Sequence, residues 1–303
     1  MSIEVQALSK QYGDQKAVDD ISFQVRKGEI LGFLGPNGAG KSTTLKILTG
    51  FLPQTSGKAK VCGLDTREDA QDVRRRVGYL PEHNPLYTDM YVREFLEFCA
   101  RLYPEKKITR RRIQEIIDRV GLSREQGKKL SQLSKGYRQR AGLAHAILHD
   151  PEVLILDEPT TGFDPNQLAE VRGLIRELGR EKTVIFSSHI MQEVEAVAQR
   201  VVIIDRGKLV ADDAIGQLRS RMEKKVVLSV AFKEDVSAAR LQQITGVQKA
   251  ESLGDNRWRL QVTSGGMDVR EQVFAFAVQE KKTLLEMTRE EQSLEDVFKQ
   301  LTQ

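Results

Sequence analysis

Gly35-Pro36-Asn37-Gly38-Ala39-Gly40-Lys41-Ser42-Thr43 carries the spacing G-x-x-x-x-G-K-[ST] of a loop that wraps phosphate between a strand and a helix. Upstream, Ile30 to Leu34 is the short apolar run of a strand buried on both faces; downstream, Thr44 to Leu48 begins a helical apolar pattern. The glycines let successive N–H groups turn toward phosphate oxygens, and the following helix start adds its positive dipole end. In such a loop Lys41 reaches the β- and γ-phosphates and Ser42 places its hydroxyl on Mg²⁺. A glycine-rich turn without a ligand is the alternative, and the strand and helix on either side argue against it.

The 303 residues suffice for a full core and a second, smaller domain. With 40% apolar and 30% charged residues and a net charge of +4, the totals show no strong nucleic-acid footprint, and no nucleic-acid partner is expected. Much of the positive excess lies between Arg101 and Lys129. The plainer reading is a solvated helix face; the sharper one is a face turned toward an acidic membrane surface. Cys62 and Cys99 are far apart, with no spacing for metal or redox work, which points to a reducing compartment. Met1 to Val5 reads as a strand start rather than a signal peptide, and no apolar run approaches a membrane span. The expectation is a cytoplasmic protein that only a partner would hold at a membrane.

Along the chain, Ile3 and Val5, then Ile21, Phe23 and Val25, alternate as two strands of an antiparallel sheet. Tyr12 lies between them, where an aromatic could stack on an adenine, although a loop tyrosine also serves as simple packing. Lys58 to Cys62 and Val77 to Leu80 read as strands around a polar helix. From Val92 to about Val120 the pattern is helical throughout, with Phe95, Leu96, Phe98 and Leu102 on one face, so Glu82 to about Leu133 reads as a mostly helical insertion. Ser134 and Gly136 open the next helix, where a small hydroxyl caps free N–H groups or holds an anion.

Val153 to Leu156 make a buried parallel strand that delivers Asp157 and Glu158 at the sheet edge where α/β proteins bind ligands. Asp157 suits a carboxylate behind Mg²⁺ bound with ATP, and Glu158 a general base that deprotonates an attacking water. Asp164 caps and Pro165 opens a helix. The strand Thr183 to Phe186 then brings His189 to the same edge, a catalytic or γ-phosphate-sensing position. Val201 to Ile204 gives one more strand. Beyond Arg219 the pattern becomes strand, helix 236–245, strand, strand, helix 267–279 and strand, a βαββαβ order that suggests a split-βαβ domain. A last helix follows, capped by Ser293 with Asp296 three residues on and carrying Leu294, Val297, Phe298 and Leu301.

These motifs, in this order over residues 1–217, resemble an ATP-binding-cassette (ABC) ATPase. The resemblance implies an α/β P-loop NTPase domain with a mixed sheet core, an antiparallel β subdomain and a helical subdomain at about 83–133, followed by a small α+β domain at 218–303. It implies ATP and Mg²⁺ as ligands, with Tyr12 on adenine, Lys41 and Ser42 on phosphates and Mg²⁺, Glu158 polarising water and His189 at the γ-phosphate. Ser134 and Gly136 would close over ATP held by the other subunit of a head-to-tail homodimer, and the dimer would drive integral-membrane permease subunits. Three positions depart from the family: Leu133-Ser134-Lys135-Gly136-Tyr137 where Leu-Ser-Gly-Gly-Gln is usual, Phe163 for leucine, and Glu82 for the lid glutamine. A carboxylate at 82 can still ligate Mg²⁺. The short second domain and its closing Ser293 to Phe298 look like ABC-2-type exporter ATPases, and the opening stretch through Gly57 is similar to gliding-motility transporter ATPases. Chromosome-maintenance and translation-factor relatives would show a long coiled-coil insertion or two cassettes, and neither is present in this sequence.

Overall fold

The computed structural model describes residues 1–218, 225–263, 268–290, 295 and 298. The chain divides into two compact units, Met1–Ile215 and Gly216–Leu301.

The first unit is built around two sheets. β1 (Ile3–Tyr12) and β2 (Gln15–Val25) pair antiparallel, with Ile3, Val5, Ile21, Phe23 and Val25 buried on one face. β3 (Ile30–Leu34) is buried at every position and runs into the phosphate loop and α1 (Lys41–Leu48). β4 (Ser56–Val61) and β5 (Leu64–Asp65) complete a four-stranded antiparallel sheet in the order β2-β1-β4-β5. α2 (Ala70–Arg76), β6 (Val77–Leu80), α3 (Val92–Ala100), α4 (Arg110–Arg119) and α5 (Lys135–Leu148) follow. The rest of the unit comprises β7 (Val153–Leu156), α6 (Pro165–Glu181), β8 (Thr183–Ser188), α7 (Met191–Val197), β9 (Arg200–Asp205) and β10 (Lys208–Ala214).

The second sheet runs β10-β9-β3-β8-β7-β6, parallel throughout except for β10 at its edge. β3, β8 and β7 are adjacent, so the phosphate loop, Ser188-His189 and Asp157-Glu158 leave the sheet side by side, about 4.8 Å apart by strand spacing. All four residues of β7 are fully buried, which is why it reads as a continuous apolar run.

The helical stretch expected from Val92 to Val120 is broken at residues 101–109. Tyr103 precedes Pro104, which disfavours helix at Tyr103, and the chain passes through a 3₁₀ turn with Lys107 left-handed at φ 43° before Thr109 caps α4. Phe95 and Leu96 are buried as expected, but Phe98 is 36% exposed and Leu102 61% exposed, because Leu102 lies past the end of α3 and both border an open groove. Tyr12 stands at the end of β1 rather than in a loop. β8 continues two residues beyond Phe186.

In the second unit β11 (Lys225–Phe232), α8 (Ala238–Leu241), β12 (Val247–Gly254), β13 (Arg257–Thr263), α9 (Val269–Gln279) and β14 (Leu284–Glu290) form an antiparallel sheet β12-β13-β11-β14. Each outer strand is joined to its sequence partner through a helix, with one strand lying between them, as the split-βαβ pattern requires. The helix expected at 236–245 is only four residues long, since the chain turns after Leu241 to reach Gly246, left-handed at φ 94°. Of the expected last helix only Glu295 and Phe298 are described, both helical; Ser293, Leu294, Asp296, Val297 and Leu301 lie outside the described residues.

Candidate active site

The phosphate loop, Glu82 and Glu158 surround a cleft of about 310 Å³ lined by Asn37, Gly38, Gly40, Lys41, Ser42, Thr43, Glu82, Glu158 and Ala17. Gly40 sits at φ 108°, and a Cβ there would stand 2.4 Å from the Ala17 carbonyl, so the hairpin β1-β2 can close on the loop only at a glycine. Lys41 is 6% exposed; its Nζ donates to the carbonyls of Gly35 at 2.7 Å and Pro36 at 3.1 Å and lies 3.7 Å from Glu158 Oε1. Burial pulls the Lys41 ammonium below its usual pKa, and the carboxylates of Glu158, Asp157 and Glu82 pull it back.

Asp157 and Glu158 are both buried. The register of β7 against β8 pairs Leu156 with Phe186 and sets Ser187 beside Asp157. Ser187 Oγ donates to Asp157 Oδ1 at 2.6 Å and accepts from the Glu158 N–H at 2.8 Å. Glu158 has φ 50°, a left-handed backbone that a residue with a Cβ adopts at a cost of about 1–3 kcal/mol, and here the Ser187 bond holds it. His189 Nδ1 reaches both carboxylate oxygens of Glu158, and Glu193, 6% exposed, ties the floor together by accepting from Thr160 Oγ1 at 2.5 Å and Ser188 Oγ at 2.8 Å.

Asp157 stands outside the lining of the cleft, as do Gly35, Pro36 and Ala39 of the loop, of which Gly35 and Ala39 are buried. Three expected residues are not brought to the cleft. Tyr12 is 50% exposed with Lys10 Nζ 5.1 Å from its ring centre, and Ser134 and Gly136 sit at the start of α5, where Ser134 Oγ accepts from the Tyr137 N–H at 3.3 Å. Ser187, Glu193 and Ala17 carry no motif of their own in the sequence.

Mg²⁺ is compatible with these donors. Ser42 and Glu82 line the cleft with hard oxygens, Asp157 stands behind them bonded to Ser187, and among the described residues no three His, Cys, Asp or Glu side chains converge into a cage. That set suits an ion held jointly by a few side chains and nucleotide phosphates.

A family model described as "ABC transporter" matches residues 18–161. The chain is 35% identical over 301 residues to the bacitracin transport ATP-binding protein BcrA of Bacillus licheniformis, covering 99% of this chain and 96% of that one. It is 30% identical over 305 residues to the linearmycin resistance ATP-binding protein LnrL of Bacillus subtilis (strain 168), covering 99% and 98%. A solved ATP binding subunit of an ABC transporter shares the fold with a TM-score of 0.66 at 27% identity, over 73% of this chain and 93% of that one. With the loop, the carboxylate pair and the histidine at the ends of adjacent strands, the chain belongs to the ABC transporter family, as an ATP-binding subunit with ATPase activity.

Proposed function

We propose that two copies of this chain close head to tail around two ATP molecules and drive a separate integral-membrane permease, most simply for export. The observation that carries this reading is Glu158, buried at the end of β7 between the Lys41 ammonium and the His189 ring and facing the phosphate-loop cleft. The loop amides and Lys41 would hold the β- and γ-phosphates. Glu158 would take a proton as a water oxygen attacks the γ-phosphorus and the bond to the β–γ bridging oxygen breaks. His189 would keep that carboxylate aimed and reach the γ-phosphate. Mg²⁺, held by Ser42 and Glu82 with the Asp157 carboxylate behind them, would neutralise phosphate charge.

Ser134 and Gly136 stand outside the cleft of their own chain, which supports a site completed by a second copy. Tyr12, half exposed beside Lys10, would meet the adenine with its ring. The export direction rests on relatives whose names refer to bacitracin transport and linearmycin resistance. The likeness of the stretch through Gly57 to gliding-motility ATPases bears on the branch of exporter and rests on those residues alone.

Among the described residues no helix is long and apolar enough to cross a membrane, so the permease would hold the chain at the inner face of the cell membrane. A groove of about 640 Å³ bordered by Pro85, Tyr87, Phe98 and Leu102 offers the docking surface, with Phe51, 72% exposed, on its rim. Cysteine cross-linking in membranes from cells making both subunits tests this. Links from positions 85, 87 and 98 to the permease are expected; links formed only from residues 216–301 would overturn the docking surface.

A further inference from the structure

One buried arginine joins the start of α5 to two other parts of the first unit. Arg140, 7% exposed, donates from Nη1 to the Val120 carbonyl at 3.0 Å, where α4 ends, and from Nη2 to Glu170 Oε2 on α6 at 2.6 Å. Its guanidinium carbon is 5.8 Å from the Phe163 ring centre and 6.0 Å from that of Tyr137. Among the described residues Nε has no hydrogen-bond partner, and the two rings flank the cation beside its two bonds. Phe163 in turn backs Gly136: a Cβ at Gly136 would lie 2.9 Å from Phe163 Cδ1 and 2.7 Å from Gln167 Oε1. The contacts therefore run from the residues that would face a second chain's ATP, through Phe163 in the turn that follows Glu158, to Arg140 and the end of α4.

A guanidinium suits this place and an ammonium does not. Its planar fork makes two hydrogen bonds in fixed directions while its faces stay available to aromatic rings, and its charge persists when buried. Leucine at 163 would fill much of the same volume but offer no π face to the cation.

We propose that Arg140 is a positioning residue that, through Phe163, fixes the N-terminus of α5 against the 160–164 turn, so that Ser134 and Gly136 reach the opposing chain in register with Glu158. The functional part of this rests on the ATP-sandwich reading above; the Arg140–Phe163 coupling itself belongs to a single chain.

The test is a double-mutant cycle of Arg140→Lys and Phe163→Leu on a Glu158→Gln background, with light scattering in Mg-ATP reporting dimer formation. Each single variant should raise the ATP concentration for half-maximal dimerisation by about three- to thirtyfold, the range of one cation–π contact. The double variant should be no worse than the poorer single, because both act through one contact. Phe163→Tyr, which keeps the ring, should dimerise like the parent. A fluorescent ATP analogue should bind all the monomers within about twofold, since the phosphate loop is untouched. Singles that dimerise like the parent, or a double equal to the product of the singles, would overturn the proposal. If the Glu158→Gln parent itself stays monomeric, the sandwich reading fails instead, and the same cycle read from urea midpoints decides the coupling: additive midpoints would refute it. Should Arg140→Lys not fold, Phe163→Leu against Phe163→Tyr carries the comparison, and equal dimerisation of these two would refute it.

Discussion

His189 Nδ1 lies 3.0 and 3.1 Å from the two carboxylate oxygens of Glu158. The glutamate side chain is 7% exposed and the histidine 45%, so a half-open ring covers the outward side of a buried carboxylate. The two residues leave adjacent parallel strands, and their pairing fixes where the carboxylate can point.

Replacing His189 with alanine should therefore leave Mg-ATP binding within a few fold while phosphate release falls by about a hundredfold, in line with loss of a positioned catalytic group. Equilibrium nucleotide binding and steady-state phosphate release measure the two effects separately. Hydrolysis at the parent rate would remove His189 from the mechanism.

Ser187→Ala tests the residue beneath that pair. It deletes the hydroxyl that donates to Asp157 and accepts from the Glu158 N–H, leaving two buried groups short of a partner. A stability loss of about 1–3 kcal/mol in urea unfolding is expected. Phosphate release should slow by about ten- to a hundredfold with ATP binding retained, because Lys41 is untouched. Unchanged hydrolysis would show that the carboxylates do not depend on this bond.

A third expectation concerns acid. His149 is 2% exposed, stacks on Tyr103 with ring centres 4.2 Å apart, and has Nε2 3.2 Å from the Val77 carbonyl. Burial pushes its pKa down to about 4; the Val77 bond and Asp150 oppose the shift, and His145 and Lys106 add to it. Below an unfolded value near 6.5 the unfolded chain binds the proton that the folded chain refuses, so stability is full above about pH 6.5 and falls as pH drops toward 4. By pH 4.5 the loss from this one group should reach ~2–3 kcal/mol. In His149→Phe, the gap in unfolding free energy between pH 7 and pH 4.5 should shrink by about that amount; an unchanged gap would place the acid sensitivity elsewhere.

The strands that build the site were legible because their sequences leave little choice. β3 and β7 are unbroken apolar runs ending in glycine-rich and acidic motifs, which only a strand buried on both faces and opening at the sheet edge explains. Ser187 and Glu193 were not legible, because their roles arise from strand register and a long-range turn, and a serine at a strand end gives no sign of which neighbour it will face. The break at 101–109 was written in Pro104 but outweighed by apolar spacing on both sides. Periodicity likewise placed Phe98 and Leu102 on one face, yet it cannot tell a packed face from one left open in a groove.

In the proposed cycle Glu158 is the base whose action reopens the ATP sandwich. Glu158→Gln keeps the side-chain volume and leaves Lys41, Ser42 and Asp157 to bind Mg-ATP, while removal of a general base lowers hydrolysis by roughly 10²–10⁴-fold. Light scattering with Mg-ATP, run beside phosphate release, measures both consequences at once. The variant should bind ATP, release phosphate at least a hundredfold more slowly and accumulate as a dimer, while the parent returns to monomer as ATP is consumed. A Glu158→Gln chain that hydrolyses ATP at the parent rate would contradict the account.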